Sequence, residues 1–487
     1  MAAAYPGDTF RAMSRATCLA MVCCLHALAD ASPRTDPTQG RAVFTGATSS
    51  SPTSLEVNPA ALGLGVPDEL YFAATSVWNH LAIDRYTLNV SNGALDNGPD
   101  VTANLLSPGG MIAGVWHSGV NGRITLGVAL HSSPAERFIE DEEALRYHTL
   151  GGSYRTYAGT VGSSFRLSGR VFLGVSLGIH TSFLRLRYAR DTALDAGRDP
   201  ARGVASDCGG APCGIENPAA TERYDVDVRT DYAALENVVA TIGLAVRLAD
   251  DTWLGIGYHA PPGLSIQNAL DGTMAVERAP RDGGGTVTGA ATVYISQPAS
   301  VDAELRTPLP ADLDLHVGVR WEHLSRLQAY DVRGYGSAFP AAGIPEWQPR
   351  PRGFHHAFAT WAGVEQVERE SPLSLGGRIG FETSALRDDR TSPLDVAPLS
   401  VTLDAGLQYR LTPQLALQLS YGLQYFPTID VTDSAYDPRA RLGCEDSGFD
   451  YSTADCAAVR NGYAIPTAAG EYSRIEQALR VALRVSL

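Results

Sequence analysis

The 487-residue sequence contains no lysine, since all 38 of its basic residues are arginine. Beyond the N-terminal region it also has no run of about eighteen apolar residues, the length that a helix needs to cross a bilayer. The net charge of −15 at pH 7 leaves no excess of basic side chains for nucleic acid phosphates. These absences exclude a helical membrane protein and argue against nucleic acid as a partner.

A recognisable catalytic arrangement and a metal-binding arrangement are missing as well. His355-His356 has no carboxylate at metal-ligand spacing. Polar residues such as Ser420 and His316 are scattered, so a membrane hydrolase has no nucleophile and base in a recognisable arrangement. We therefore predict no enzymatic activity, no metal and no cofactor.

The N-terminal region has the pattern of a secretory signal peptide. Arg11 and Arg15 precede an apolar run, and Ala27-Leu28-Ala29 is a small-residue cleavage site. We predict that residues 1–29 are removed on export, with cleavage two residues later as the alternative.

Four of the seven cysteines lie beyond the signal peptide, in two close pairs. Cys208 and Cys213 share one long connection, and Cys444 and Cys456 share another. Close pairs in an exported chain predict two local disulfides. A zinc site is the alternative interpretation, but no further His or Cys lies nearby to complete the ligands.

Strict alternation of apolar and polar residues is the main structural signal. Across residues 399–411 the apolar positions alternate with Ser400, Thr402, Asp404 and Arg410. A strand of this kind has one face for lipid and one for a lumen, whereas its charges would be costly in a dry core. The pattern predicts an all-β fold, a transmembrane up-and-down antiparallel barrel.

About fourteen such strands are predicted, at residues 68–90, 110–118, 122–132, 153–167, 171–187, 230–248, 252–267, 287–306, 313–328, 354–367, 373–384, 398–411, 414–427 and 474–487. Short turns alternate with long polar connections, of which residues 188–230, 329–353 and 428–472 are examples. That alternation is typical of outer-membrane barrels with both chain ends in the periplasm. We expect residues 68–487 to form the barrel in the bacterial outer membrane, in contact with its lipids.

Residues 30–67 do not have the pattern of a strand. They are small and polar, with a Gly- and Ala-rich start and a Ser/Thr-rich middle. A fourteen-stranded barrel is wide enough to leak if it is empty. We therefore predict that this segment folds into the lumen as a hatch, with a free periplasmic position as the alternative.

Several segments together resemble one family of outer-membrane transporters. They are Asn58-Pro59-Ala60 in the predicted hatch, residues 254–261 (LGIGYHAP), residues 297–301 (QPASV) and residues 321–326 (WEHLSR). Their order and spacing, with the strand number, are similar to the FadL-type transporters of long-chain fatty acids and other hydrophobic compounds. The chain departs from such barrels in ending with Leu487, where an aromatic residue is usual.

The resemblance implies a route for hydrophobic small molecules. The outer loops capture the ligand, a lumenal pocket binds it, the hatch shifts, and the ligand leaves sideways into the bilayer beside a kinked third strand. Asn58, Pro59 and Ala60 would belong to the hatch. Ser133 and Pro134 would mark the exit, because proline cannot donate to a strand ladder. The alternatives are an ordinary turn at Asn58 and the start of an outer loop at Pro134.

A ligand carboxylate would need an arginine, since the chain has no lysine. Arg320, Arg378 and Arg410 face the predicted lumen and are the candidates. The alternative is that these arginines pair with lumenal carboxylates and hold the shape of the barrel.

Two further functions remain open. One is a structural or surface-binding barrel whose disulfide-bearing loops bind other surfaces. The other is a general porin, which would have no hatch in its lumen.

Overall fold

The computed structural model describes residues 41–65, 68–88, 94–118, 123–134, 136–193, 195, 220–230, 237–264, 267–366 and 371–487. The predicted signal peptide, residues 1–29, and the predicted Cys208–Cys213 disulfide lie outside these residues.

Twenty strands form within the described residues. They are β1 (Glu69–Leu88), β2 (Leu95–Ser118), β3 (Ile124–Ser132), β4 (Glu136–Arg137), β5 (Gly151–Arg166), β6 (Val171–Asp191), β7 (Thr221–Thr230), β8 (Val238–Ala249), β9 (Thr252–His259), β10 (Asn268–Glu277), β11 (Thr286–Ile295), β12 (Ser300–Leu309), β13 (Leu313–Glu322), β14 (Ala329–Tyr335), β15 (Trp347–Pro351), β16 (Ala357–Gln366), β17 (Leu373–Glu382), β18 (Ser400–Thr412), β19 (Leu415–Val431) and β20 (Gly470–Ser486).

Fourteen of these strands pair, each antiparallel to the next, in the order β1, β2, β3, β5, β6, β8, β9, β12, β13, β16, β17, β18, β19 and β20. The ring closes because β20 pairs with β1 in a register that sets Ser486 opposite Glu69. The predicted all-β barrel of fourteen strands is confirmed. Among the described residues no helix is both long and apolar enough for a membrane crossing.

The alternation in the sequence separates the two faces of this ring. Leu130, Leu177 and Ile242 point outward, with at least 58% of each side chain exposed. The positions between them, such as Ser176 and Thr241, point inward and are buried. The outer surface is therefore an apolar belt suited to lipid, and the lumen is polar.

A second, smaller sheet stands on one side of the outer end of the barrel. The outer half of β6 pairs with β7, and the sheet continues through β10, β11, β14 and β15. Alternate residues of this sheet, among them Tyr224, Val226 and Val293, pack into one buried apolar cluster. This cluster fixes the sheet over the mouth of the barrel.

Several predicted boundaries were wrong. The predicted strand at residues 287–306 is two strands, because the chain leaves the outer sheet after β11 and enters the barrel at β12, with Pro298 between them. The predicted loops at residues 188–230 and 329–353 contain β7, β14 and β15 of the outer sheet. The strand predicted at residues 110–118 begins at Leu95, so the first outer connection is short.

Short helices occupy the lumen and the outer connections. In the N-terminal segment, Ser54–Val57 is α-helical and Pro59–Gly63 is a 3-10 helix. Outside the barrel, Ala338–Ala341, Ala440–Asp446 and Ala454–Arg460 are α-helical. Single 3-10 turns lie at Glu143–Leu145, Pro280–Asp282, Leu324–Arg326 and Asp388–Arg390.

Candidate functional site

Residues 41–65 lie inside the barrel, and glycines of the wall make room for them. Gly174, Gly243 and Gly257 stand side by side on β6, β8 and β9. A Cβ atom at any of the three would overlap the segment: the backbone of Ala60, the side chain of Asn58 or the carbonyl oxygen of Val57. The wall is therefore shaped to accept the backbone of this segment at close range.

Asn58 holds the segment on this glycine row. Its Nδ2 atom donates to the carbonyl oxygens of Ala47, at 2.6 Å, and of Leu244 on β8, at 3.1 Å. Its Oδ1 atom accepts from the backbone N–H of Ala60, at 3.2 Å, and caps the 3-10 helix that follows. Asn58 is fully buried. These bonds join two parts of the segment to each other and to the barrel.

Charged lumenal side chains form ion pairs and hydrogen bonds with the first part of the segment, residues 41–48. Arg41 forms an ion pair with Glu382, and the backbone N–H of Phe44 donates to Glu365 at 2.8 Å. Arg378 and Arg480 donate to the carbonyl oxygens of Thr45 and Val43 at 2.6 and 3.0 Å. This part is therefore held by charges on β16, β17 and β20.

A cavity of about 300 Å³ lies within the barrel beside the N-terminal segment, whose Glu56 is part of its wall. Its apolar lining includes Leu81, Leu105, Ile139, Ile295, Leu324, Leu327, Phe354, Leu394, Val396 and Phe426. Most of the lining surface is apolar, although four arginines, four carboxylates and three histidines also contribute to it. A mainly apolar surface with polar groups at fixed positions is typical of small-molecule sites, and this volume is at the lower end of their range.

The arginines that line the cavity are paired with carboxylates. Arg320 donates to Asp302 and Glu322 at 3.1 to 3.3 Å. Arg352 donates to Asp395 at 3.0 Å, and burial raises the pKa of Asp395 to about 6 although Arg352 opposes the shift. Arg137 and Arg474 pair with Glu140 and Glu476. The cavity is polar in places, but its cations are neutralised.

The three arginines predicted to receive a carboxylate lie in three different places. Arg320 lines the cavity. Arg378 is buried under the N-terminal segment, where it bonds Glu365 at 2.7 Å. Arg410 is near the opposite end of the barrel, where it donates to the carbonyl oxygen of Ser371. Of these three arginines only Arg320 lines the cavity. It is paired with carboxylates, as expected if these arginines hold the shape of the barrel.

The wall of the barrel is interrupted next to Ser133 and Pro134. Strand β3 ends at Ser132, which is opposite Gly110 of β2, and the short β4 then pairs with β5. The part of β2 before Gly110 pairs with β1, and within the described residues it has no ladder to β4. Ser133 and Pro134 both line the cavity. The cavity therefore reaches the point where the hydrogen-bond ladder between β2 and β3 ends.

The last outer connection folds over the mouth of the barrel. The predicted disulfide between Cys444 and Cys456 is present and links the two helices of this connection. The Nε2–H group of His148 donates to the carbonyl oxygen of Pro466, at 2.9 Å, and the ring packs edge-on against Tyr436. Burial, with the charges of Arg85 and Arg350, lowers the pKa of His148 to about 3. This connection, residues 432–469, is called the cap below. It is held in place by the uncharged imidazole of His148 and by the disulfide.

Sequence patterns did not identify the histidines of the cavity. His131, His180 and His259 lie on β3, β6 and β9, and all three line the cavity with Glu56 of the N-terminal segment. Each is a single polar residue in an alternating strand, which is also the pattern of any lumenal position. Among the described residues no three or more His, Cys, Asp or Glu side chains are arranged to hold a metal.

Comparison with known proteins gives likeness in structure only. No family model and no curated protein matches the sequence. A FadL homologue from Pseudomonas aeruginosa is similar in fold, with a TM-score of 0.68 and 14% identity over 94% of this chain and 100% of that one. The toluene transporter TodX from P. putida has a TM-score of 0.57 and 13% identity over 90% and 94%.

The toluene transporter TbuX from Ralstonia pickettii is a third structure of this kind, with a TM-score of 0.56 and 13% identity over 95% of this chain and all of that one. The predicted resemblance to FadL-type barrels is therefore confirmed for the fold, and over most of the chain. At 13–14% identity these comparisons establish the fold and no more.

Proposed function

We propose that this chain is a bacterial outer-membrane channel for the uptake of hydrophobic small molecules. One juxtaposition supports the proposal above all others. A largely apolar cavity lies against the N-terminal segment that fills the lumen, and beside the wall interruption at Ser133 and Pro134. A pore for water and ions has no use for such a cavity.

Physical chemistry favours a sideways exit for such a ligand. An aliphatic chain gains about 0.8 kcal/mol for each methylene that leaves water. A sixteen-carbon chain is therefore about 12 kcal/mol more stable in the bilayer than in the periplasm. Release through the wall keeps the ligand out of water.

The proposed route has four steps. The outer sheet and the cap over the barrel mouth capture the ligand, and the apolar cavity binds it. The N-terminal segment, acting as a hatch that Asn58, Pro59 and Ala60 anchor, then shifts. The ligand finally leaves beside β3, where Ser133 and Pro134 adjoin the cavity. Long-chain fatty acids and neutral hydrocarbons are both candidates, the second because two similar barrels are described as toluene transporters.

Planar-bilayer conductance tests the proposal against a general porin. The mature chain should conduct poorly, and deletion of residues 30–66 should produce a large conductance because the segment no longer fills the lumen. Large conductance from the intact chain would contradict the proposal.

Uptake distinguishes the proposal from a purely structural barrel. Cells that produce the intact chain should accumulate a labelled hydrophobic compound faster than cells without it. Equal rates in the two strains would favour the structural or surface-binding alternative.

A further inference from the structure

One end of the cavity is lined by polar side chains instead of apolar ones. His131, His180 and His259 converge there on Glu56 of the N-terminal segment. The Nε2 atom of His131 is 3.3 Å from the Glu56 carboxylate, and the two side chains are only 6% and 8% exposed. The rings of His131 and His180 are 6.5 Å apart, centre to centre. Three strands and the N-terminal segment thus build one buried polar cluster.

Two members of the cluster already have their main partners. His131 is paired with Glu56, and the Nδ1 atom of His259 lies 2.9 Å from the hydroxyl of Thr241. The Nδ1 atom of His180 is buried and has no hydrogen-bond partner within 3.5 Å among the described residues. Burying an imidazole nitrogen without a hydrogen-bond partner costs about 1–3 kcal/mol of folding free energy. The His180 ring has a side-chain hydrogen bond with Gln297, a neutral residue that also lines the cavity. His180 is therefore the member of the cluster that has a neutral partner and a ring nitrogen, Nδ1, with capacity for a ligand.

The charges of the cavity exclude an anionic partner for His180. Each of the four lining arginines is paired with a carboxylate, as described above. The cluster already contains the Glu56 carboxylate, which is paired with His131, and a second negative charge beside it would be buried without a cation of its own. Burying an unpaired charge is far more costly than burying a neutral hydroxyl.

We propose that His180 and its neighbours form a subsite for the hydroxyl group of an uncharged hydrophobic ligand, such as a phenol or an alcohol. The inference rests on the proposed function and names the class of ligand that the same cavity prefers. A hydroxyl both donates and accepts, so it satisfies a neutral imidazole whichever of the two ring nitrogens carries the proton. The rest of the ligand lies against the apolar lining. A fatty acid anion binds less well than either its alcohol or a phenol of equal size.

Binding of three matched ligands to the purified full-length protein tests this subsite. They are 4-methylphenol, p-xylene and 4-methylbenzoate, which have the same ring and methyl group and differ in one substituent. Titration calorimetry at pH 7.5, with protein-free micelles subtracted, should rank the phenol about tenfold above p-xylene, since one hydrogen bond contributes about 1–1.5 kcal/mol. The benzoate should bind most weakly.

Substitution of His180 assigns the effect to this residue. His180→Leu should lower the affinity for the phenol to that for p-xylene and leave p-xylene within about threefold of its original value, because the apolar contacts remain. His80→Leu is the matched control, since His80 is exposed on the barrel strand β1 and does not line the cavity. It should change neither affinity.

Two kinds of failure are distinguishable. If p-xylene or the benzoate binds as tightly as the phenol, or if His180→Leu weakens phenol and p-xylene alike, the hydroxyl subsite is wrong while the proposed uptake of hydrophobic compounds stands. If none of the three ligands binds above the micelle background, the hydroxyl subsite is wrong, and the uptake assay decides separately whether the proposed function is wrong as well.

Discussion

Asn58→Ala tests how firmly the N-terminal segment closes the lumen. The substitution removes three hydrogen bonds, to Ala47, Leu244 and Ala60, from a side chain that is fully buried. At about 1 kcal/mol for each bond, the docked segment loses about 3 kcal/mol relative to the undocked one. Every 1.4 kcal/mol is a factor of ten, so the undocked population should rise by about a hundredfold.

Single-channel recording in planar bilayers measures that population as the fraction of time spent in a conducting state. Asn268→Ala is the matched control, because Asn268 is a buried asparagine of β10 in the outer sheet and does not touch the N-terminal segment. The barrel itself should remain folded in both variants, since its ladders are untouched. An open fraction in Asn58→Ala that equals that of Asn268→Ala would refute the anchoring role of Asn58.

Three further perturbations probe the exit and the cap. Gly109→Val places a side chain against Pro134 at the wall interruption, where a Cβ would lie 2.8 Å from the proline ring. Overpacking of about 1–2 kcal/mol should slow uptake about tenfold while ligand binding to the purified protein is unchanged. Replacement of Cys444 and Cys456 by serine should destabilise the cap by about 3 kcal/mol, seen as faster proteolysis between residues 440 and 460 with an intact barrel. Acidification should loosen the cap at His148, seen as faster hydrogen exchange at pH 5 than at pH 7.5 after correction for intrinsic rates.

The sign of the pH effect follows from the pKa of His148. Burial lowers this pKa to about 3 in the folded cap, against 6.5 as its ordinary value. Between these two values the opened cap binds a proton that the closed cap does not, so stability falls as the pH falls below 6.5. At pH 5 the loss is about 2 kcal/mol, or about thirtyfold in the open population. Equal corrected exchange at the two pH values would contradict this, as would unchanged uptake in the Gly109 variant or unchanged proteolysis in the cysteine variant.

The barrel was predictable from the sequence because its signal is local. A strand between lipid and lumen must alternate along its whole length, so residues 399–411 indicate their own structure without any knowledge of their neighbours. The outer sheet has the same signal in Tyr224, Val226 and Val228 of β7. Residues 188–230, which contain β7, are nevertheless predicted to be a loop, because alternation identifies a strand but does not identify the sheet to which the strand belongs.

The site was less predictable, since its parts come from distant segments. The spacing of Gly255 and Gly257 is visible in the sequence, but the reason for it is the backbone of the N-terminal segment, which lies against both glycines only in the folded chain. His131 and His180 come together across the intervening strand β5, and Glu56 reaches them from inside the lumen. No pattern within a single strand predicts that these three side chains come together.

The two parts of the N-terminal segment are held by different forces, and this difference predicts which part would be displaced first in the proposed hatch movement. Withdrawal of residues 41–48 would break the buried ion pair between Arg41 and Glu382, at a cost of about 3–5 kcal/mol. It would also break the charge-assisted hydrogen bonds from Arg378 and Arg480 to carbonyl oxygens, which contribute about 1.5–3 kcal/mol each. Residues 54–62 lie on glycines and, apart from the pair of Glu56 with His131, are held by neutral hydrogen bonds of about 1 kcal/mol each. The second part is therefore the easier one to displace. It also carries Glu56, which pairs with His131 one residue before the end of β3. In the proposed route, a ligand that disturbs this pair would act on the more easily displaced part of the segment and on the edge of the wall interruption at once.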